Sequence, residues 1–132
     1  MSIQIKLTPV EWEIMEAVWD IGGQPSVREV VNRTYPNGEK AYTTVQTMMN
    51  TLEKKGLLKR EKIGMVNFYA PRRTRNQMVR TELSTLVSRV FDGSVPAMAN
   101  FLLDSENLSQ DEINAIKTLL NQKENKLKGQ KS

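Results

Sequence analysis

In the stretch TTVQTMMNTLEKKG, residues 43–56, hydrogen-bonding side chains recur at Thr43, Thr44, Gln46, Thr47, Asn50, Thr51 and Lys54, and of these seven only Lys54 is charged. On a helix turning 100° per residue, Thr47, Asn50 and Lys54 fall within about 40° of Thr43, with Gln46 and Thr51 flanking them. Ala41, Val45, Met48, Met49 and Leu52 take the opposite side, an apolar stripe of ordinary width. The polar face is therefore short-chained and nearly neutral. A helix facing only water has little reason to hold four threonines, each costing up to ~0.7 kcal/mol against alanine. Such a face suits close approach to base edges in a major groove. Gln and Asn can hydrogen-bond those edges, and Thr can donate, accept, or set its methyl against a thymine methyl. Lys54 and Lys55, at the far end, would reach phosphates. The plainer reading of the same face is a tolerated threonine-rich surface.

The elements that must position this helix are legible nearby. Thr8-Pro9-Val10-Glu11 opens a first helix with a cap, a first-turn proline and a capping box, and Gly22-Gly23 ends it near Ile21. Glu13, Glu16 and Asp20 share one arc of it, while Trp12, Ile14, Met15, Val18 and Trp19 fill most of the rest, which marks a core helix. The two tryptophans read as core ahead of a ligand site. Ser26-Val27-Arg28-Glu29 is a second capping box, for a short helix to about Thr34, and Pro36-Asn37-Gly38 has turn chemistry. The third helix spans roughly 41–55 and stops at Gly56. Two strand-like runs follow, Leu57 to Ile63 and Val66 to Ala70, joined at Gly64. Helix, helix, helix, hairpin is the order of a winged helix-turn-helix, whose third helix enters a groove. In that order Lys59, Arg60 and Lys62 of the wing would touch phosphates or the minor groove.

Charge agrees with this placement. The chain has 132 residues with 19 basic and 15 acidic groups, a net +4. Residues 40–75 hold nine of the basic groups and only Glu53 and Glu61 as acids, so this block carries +7 and the remainder −3. A concentrated basic block points to a polyanion, nucleic acid ahead of a membrane surface, because no basic amphipathic helix with aromatic anchors accompanies it. A merely solvated charged surface is the bland alternative.

Composition narrows the function classes. There is no cysteine and no histidine, which removes disulfides, thiolate chemistry, Ser-His and Cys-His nucleophile pairs and most zinc or copper sites. A carboxylate-only magnesium site stays open, but no paired acidic motif with a phosphate-cradling loop is visible. No enzyme and no cofactor is expected. The 39% hydrophobic and 26% charged content is that of an ordinary globular chain of one domain, or one with a small appendage. No apolar run approaches the ~20 residues of a membrane span, and Met1 to Lys6 lacks a signal-peptide apolar core. A cytoplasmic protein without membrane insertion is the expectation.

The second half changes character. Thr74-Arg75-Asn76-Gln77 opens a long helix to about Phe91, with Met78, Leu83, Leu86, Val87 and Val90 in helical period. Asp92-Gly93-Ser94 breaks it, and a shorter helix runs from Val95 to Leu103. Ser109-Gln110-Asp111-Glu112 caps a last one carrying Ile113, Ile116, Leu119 and Leu120 on one face. Three helices of this size close no private core of normal depth, so pairing with a second copy is the natural way to cover their stripes. Folding back on the N-terminal unit is the alternative. The expected layout is a mainly α chain with a small β wing: a winged helix-turn-helix domain over 1–72, a helical dimerisation domain over 73–125, and a lysine-rich tail from Lys123 that is flexible over 126–132.

Four stretches carry a family resemblance: LTPVEWEIMEAVW, AYTTVQTMMNTLEKKGLLKRE, FYAP and NFLLDSENLSQDEI, which together span most of residues 7–120. They resemble the penicillinase and methicillin-resistance repressor family of BlaI/MecI/CopY-type winged-helix transcriptional repressors. The resemblance implies a homodimer whose winged helices bind the two halves of a dyad operator in double-stranded DNA, with TACA/TGTA-type half-sites. It places Thr43, Thr44, Gln46 and Thr47 where the family's DNA-contacting residues lie, and Thr51 where relatives often keep an arginine. It implies a dimer interface in the C-terminal helices, to which the apolar stripes assign Leu83, Leu86, Val87, Val90, Phe101, Leu102, Ile113, Ile116, Leu119 and Leu120. In antibiotic-responsive members a membrane sensor metalloprotease triggers cleavage of an Asn-Phe bond in the penultimate helix. MANFLLD resembles that segment and makes Asn100-Phe101 the candidate bond, though Phe101 also fits a dimer-core aromatic. The copper-responsive branch is disfavoured because its cysteine motif is absent. The competing function is a winged-helix protein-interaction module that does not read DNA. A neutral recognition face without aromatic or arginine anchors argues against it.

Overall fold

The computed structural model describes residues 7–130; Met1 to Lys6 of the first expected domain, and Lys131 and Ser132 of the expected tail, lie outside the described residues. Six helices and one two-stranded antiparallel sheet follow in the order α1 (Pro9–Ile21), α2 (Val27–Thr34), α3 (Tyr42–Lys54), β1 (Leu58–Ile63), β2 (Val66–Pro71), α4 (Arg75–Val90), α5 (Val95–Ser105) and α6 (Gln110–Gly129). The expected mainly α chain with a small β wing is the fold observed.

Local chemistry sets the boundaries. In α1 the Thr8 hydroxyl accepts from the Glu11 N–H at 3.1 Å, and the Glu11 carboxylate accepts from the Thr8 N–H at 2.9 Å. Ser26 and Glu29 form the same reciprocal cap on α2, and Ser109 and Glu112 on α6. Each cap satisfies two N–H groups that a helix start otherwise leaves without partners. At the other end of α3, the Gly56 N–H bonds to the Glu53 carbonyl and the Leu57 N–H to the Leu52 carbonyl, both at 3.0 Å. This is a Schellman closure: Gly56 holds the positive φ of +80°, and Leu52 and Leu57 meet as its fully buried apolar pair. It fixes the angle at which the chain leaves α3 for the wing.

The wing pairs Leu58 with Pro71 through Ile63 with Val66, so Gly64 and Met65 form a two-residue turn. Gly64 takes the positive φ, +63°, that a type II′ turn requires at its first position. The Tyr69 N–H donates to the Pro25 carbonyl at 2.9 Å, and Ser26 bridges Phe68, which stitches β2 to the start of α2. Ile14, Met15, Val18, Val30, Val45, Met49, Leu52, Leu57, Leu58, Tyr69 and Met78 are wholly buried and form one core under α1, α2, α3 and the wing.

Several details depart from expectation. Ala41 is the exposed N-cap of α3 and not part of its core stripe. Trp12 and Trp19 are half-buried and pack edge-to-face at 5.8 Å against the rim of the core. By its contacts the chain divides into two compact units at Leu86/Val87. The reason lies in three ties of the α4 start to the first unit. Met78 is fully buried in the core, the Trp19 indole N–H donates to the Arg73 carbonyl at 2.9 Å, and Arg75 meets Glu16 at 2.8 Å. The tail is a further correction, because α6 continues through Lys123 and on to Gly129. Residues 123–128 are Lys, Glu, Asn, Lys, Leu and Lys, mostly good helix formers, with Glu124 four residues before Lys128 and lysines near the C-terminal end of the dipole. In the second unit, the rings of Phe91 and Phe101 pack at a tilt of 53° with centroids 5.7 Å apart. Among the described residues no helix is long and apolar enough to cross a membrane.

Candidate nucleic-acid interface

α3 presents the face expected of it. Val45, Met49 and Leu52 are fully buried, whereas Thr43, Thr44, Thr47, Thr51 and Lys54 are exposed and Gln46 and Asn50 half-buried. The threonine hydroxyls are partly committed. Thr47 donates to the Thr43 carbonyl at 2.9 Å and Thr51 to the Thr47 carbonyl at 3.0 Å, one turn back. With their protons turned along the helix, these two hydroxyls offer the outside lone pairs and methyl groups. Thr47 and Thr51 thus contribute acceptors and methyls to the face, and the Gln46 amide is its most versatile group.

Asn50 is anchored. The Tyr69 hydroxyl, on β2, donates to its side-chain oxygen at 2.7 Å, which leaves the Asn50 amide N–H groups as what it can still offer. Burial pushes the Tyr69 phenol above its ordinary value against the opposing pull of the Arg60 charge, so it remains a donor at neutral pH. Arg60, the cross-strand neighbour of Tyr69, reaches Glu53 of α3 at 3.8 Å. Side chains alternate along a strand, so Arg60 and Lys62 share the wing face turned to α3. Lys59 takes the other face, beside Glu61. The three wing cations expected to act together are therefore split, two against one.

Lys55 does not extend outward with Lys54. Its ammonium sits 2.9 and 2.8 Å from the two Glu11 carboxylate oxygens, and Glu11 is itself buried at the start of α1. Burial pushes the Glu11 carboxyl up, but the hydrogen bonds from Lys55 and the Thr8 backbone, with the Lys55 charge, outweigh it and hold the carboxyl below its ordinary value. The pair clamps the C-terminal end of α3 to the N-terminal end of α1. Similarly, the Tyr35 hydroxyl donates to Glu13 at 2.6 Å, and burial together with that carboxylate pushes the phenol far up.

Sequence reasoning missed one pair beside this face. The Arg28 guanidinium, in the first turn of α2, lies 4.6 Å above the ring of Tyr42, the first residue of α3. The ring holds an exposed cation next to the N-terminus of α3, which has no side-chain cap. Fourteen residues separate the two, so no periodicity links them. The order of the helices was the only available signal.

The apolar positions assigned to the C-terminal helices are largely open. Leu83, Leu86, Val90, Phe101, Leu102, Leu119 and Leu120 are exposed, Phe101 and Leu120 each 65%, while Val87, Ile113 and Ile116 are half-buried. Asn100 and Phe101 lie inside α5, none of whose residues is buried.

The family model described as penicillinase repressor matches residues 7–122. The penicillinase repressor of Bacillus licheniformis is 26% identical over 123 residues, covering 93% of this chain and 95% of that protein. The methicillin resistance regulatory protein MecI of Staphylococcus aureus strain N315 is 23% identical over 118 residues, covering 89% and 95%. Among solved structures, a MarR family protein from Bacillus stearothermophilus aligns with a TM-score of 0.47 at 19% identity, over 94% of this chain and 77% of that one. The family match runs from the start of α1 through the wing, α4 and α5 and into α6, and the chain belongs to the penicillinase repressor family.

Proposed function

We propose that the chain is a homodimeric transcriptional repressor that acts in the cytoplasm on a dyad operator in double-stranded DNA. The observation that carries this reading is the outer face of α3: nearly neutral, largely exposed, short-chained, held by a buried stripe, and set in the basic block of residues 40–75. In the major groove Thr43, Thr44, Gln46 and Thr47 face base edges. The anchored Asn50 offers its amide hydrogens, Thr51 its methyl, and Lys54 a charge for a phosphate. Arg60 and Lys62 take phosphates on the wing side, Arg28 on the α2 side, and Lys59 the flank of the wing.

The second copy covers what α4, α5 and α6 leave open: Leu83, Leu86, Val87, Val90, Phe101, Leu102, Ile113, Ile116, Leu119 and Leu120. Two half-sites held in one dimer bind far more tightly than either alone. Relief of repression follows from a cut at Asn100-Phe101 by a membrane sensor metalloprotease in response to a cell-wall antibiotic. The bond lies inside α5, and the cut would separate α6 from the rest. A gel shift with genomic fragments at physiological salt tests the reading: a dyad fragment should be selected over random duplex. Retention of a protein partner with no retained duplex would instead favour an interaction module.

A further inference from the structure

The wing ends in an apolar tip that the described residues leave largely open. Met65 is 92% exposed, and the cross-strand pair Ile63 and Val66 behind it are 57% and 46% exposed. A hairpin tip in water ordinarily carries polar turn residues, whereas the two-residue turn here is Gly64 and Met65. Apolar side chains at the end of a two-stranded ribbon, with Lys62 and Arg60 behind them, have the form of a groove wedge. Proteins that enter the minor groove set Met, Leu, Ile or Phe against or between base pairs while cations hold the adjacent phosphates. The occupant follows from charge: the tip projects from the +7 block that the proposed function sets against DNA, which a neutral or basic partner would not match.

We infer that Met65, supported by Ile63 and Val66, seats in the minor groove beside the major-groove segment faced by α3, and reads the absence of amino groups on its floor. This inference rests on the repressor reading. An A·T step leaves that floor open, whereas the guanine 2-amino group of a G·C pair projects into it. The wing tip would thus add a preference for A·T steps flanking each half-site, independent of the α3 contacts.

The test uses the full chain and a dyad operator recovered from genomic fragments. In one duplex the flanking adenines are replaced by 2,6-diaminopurine, which adds the minor-groove amino group without touching the major-groove edge. The wild type should bind this duplex more weakly than the natural one. Met65→Ala should weaken binding to the natural operator about three- to tenfold, the scale of partly burying one apolar side chain. It should lose the diaminopurine penalty, and keep the slope of log affinity against log salt because no charge is removed. Met65→Leu should behave as wild type, and both variants should melt with the wild type because the side chain touches little. A Met65→Ala protein that binds like wild type, or still feels the amino group, overturns the inference and leaves the repressor reading standing. A wild type that binds the dyad no better than random duplex removes both.

Discussion

Every buried side chain among the described residues lies at or before Met78, whereas none of residues 87–130 is buried. The first unit closes its own interior with Tyr69, Met49, Ile14 and their neighbours, seals the end of α3 with a Schellman turn, and clamps it through Lys55 to Glu11. The second unit has well-capped helices and regular apolar stripes but no interior. The difference teaches that helix-forming signals and core-forming signals are separable. α6 has a reciprocal cap yet buries no side chain fully, as fits a surface completed by another copy of the chain.

The sharpest way to break this contrast is to charge the open surface. Leu119→Asp with Leu120→Asp should convert the proposed dimer to monomer by sedimentation analysis and lower operator affinity about 10²–10⁴-fold, the usual gain from linking two sites. The melting of the first unit should be unchanged. If those leucines are mere surface, neither sedimentation nor affinity will move. The opposite probe truncates the closed interior: Met49→Ala should cost about 2–5 kcal/mol in denaturant unfolding. An equivalent truncation at Leu120, measured at a protein concentration that keeps the chain monomeric, should cost under about 0.5 kcal/mol.

Smaller effects separate the clamps from the reading face. Lys55→Ala leaves the buried Glu11 carboxylate without its ammonium. It should cost about 1–2 kcal/mol, less than a fully buried pair because the Lys55 side chain is 34% exposed. The sign of the pH effect is fixed by Glu11. Its folded pKa lies below the unfolded value, so its contribution is present above about pH 4.3 and is lost as pH falls through the lower folded value. Acid unfolding curves of Lys55→Ala should therefore be flatter than wild type in that window. The smallest change expected is Lys62→Ala, which should reduce the salt slope of operator binding by about one while leaving sequence preference intact.

How much of this was legible depends on the distance between the residues concerned. Caps at Thr8, Ser26, Thr74 and Ser109, the stop at Gly56 and the turn at Gly64 were all readable, because each is a contact over two to four residues. The α3 stripe was readable for the same reason. The Tyr69 bond to Asn50 spans 19 residues and the Lys55 bond to Glu11 spans 44, so no local pattern betrays them. Both alter what the face can offer: one occupies an acceptor of Asn50, the other turns Lys55 inward. The inward donation of Thr47 and Thr51 was hidden too, because a hydroxyl's choice between solvent and the carbonyl one turn back depends on the rotamer. The extent of α6 was missed because lysine-rich composition at a terminus reads as fraying, although the residues are individually good helix formers.

The central claim is that α3 reads base edges from within a dimer, and one competition titration addresses it most directly. Wild type and Thr47→Ala would each be titrated at about 0.15 M salt against a dyad operator and against a scrambled duplex of equal length and composition. The account predicts that the wild type prefers the operator by at least about 10³-fold. It also predicts that Thr47→Ala erodes this preference without changing affinity for the scrambled duplex. Equal binding of both duplexes by the wild type, or an undiminished preference in Thr47→Ala together with Gln46→Ala, would contradict it.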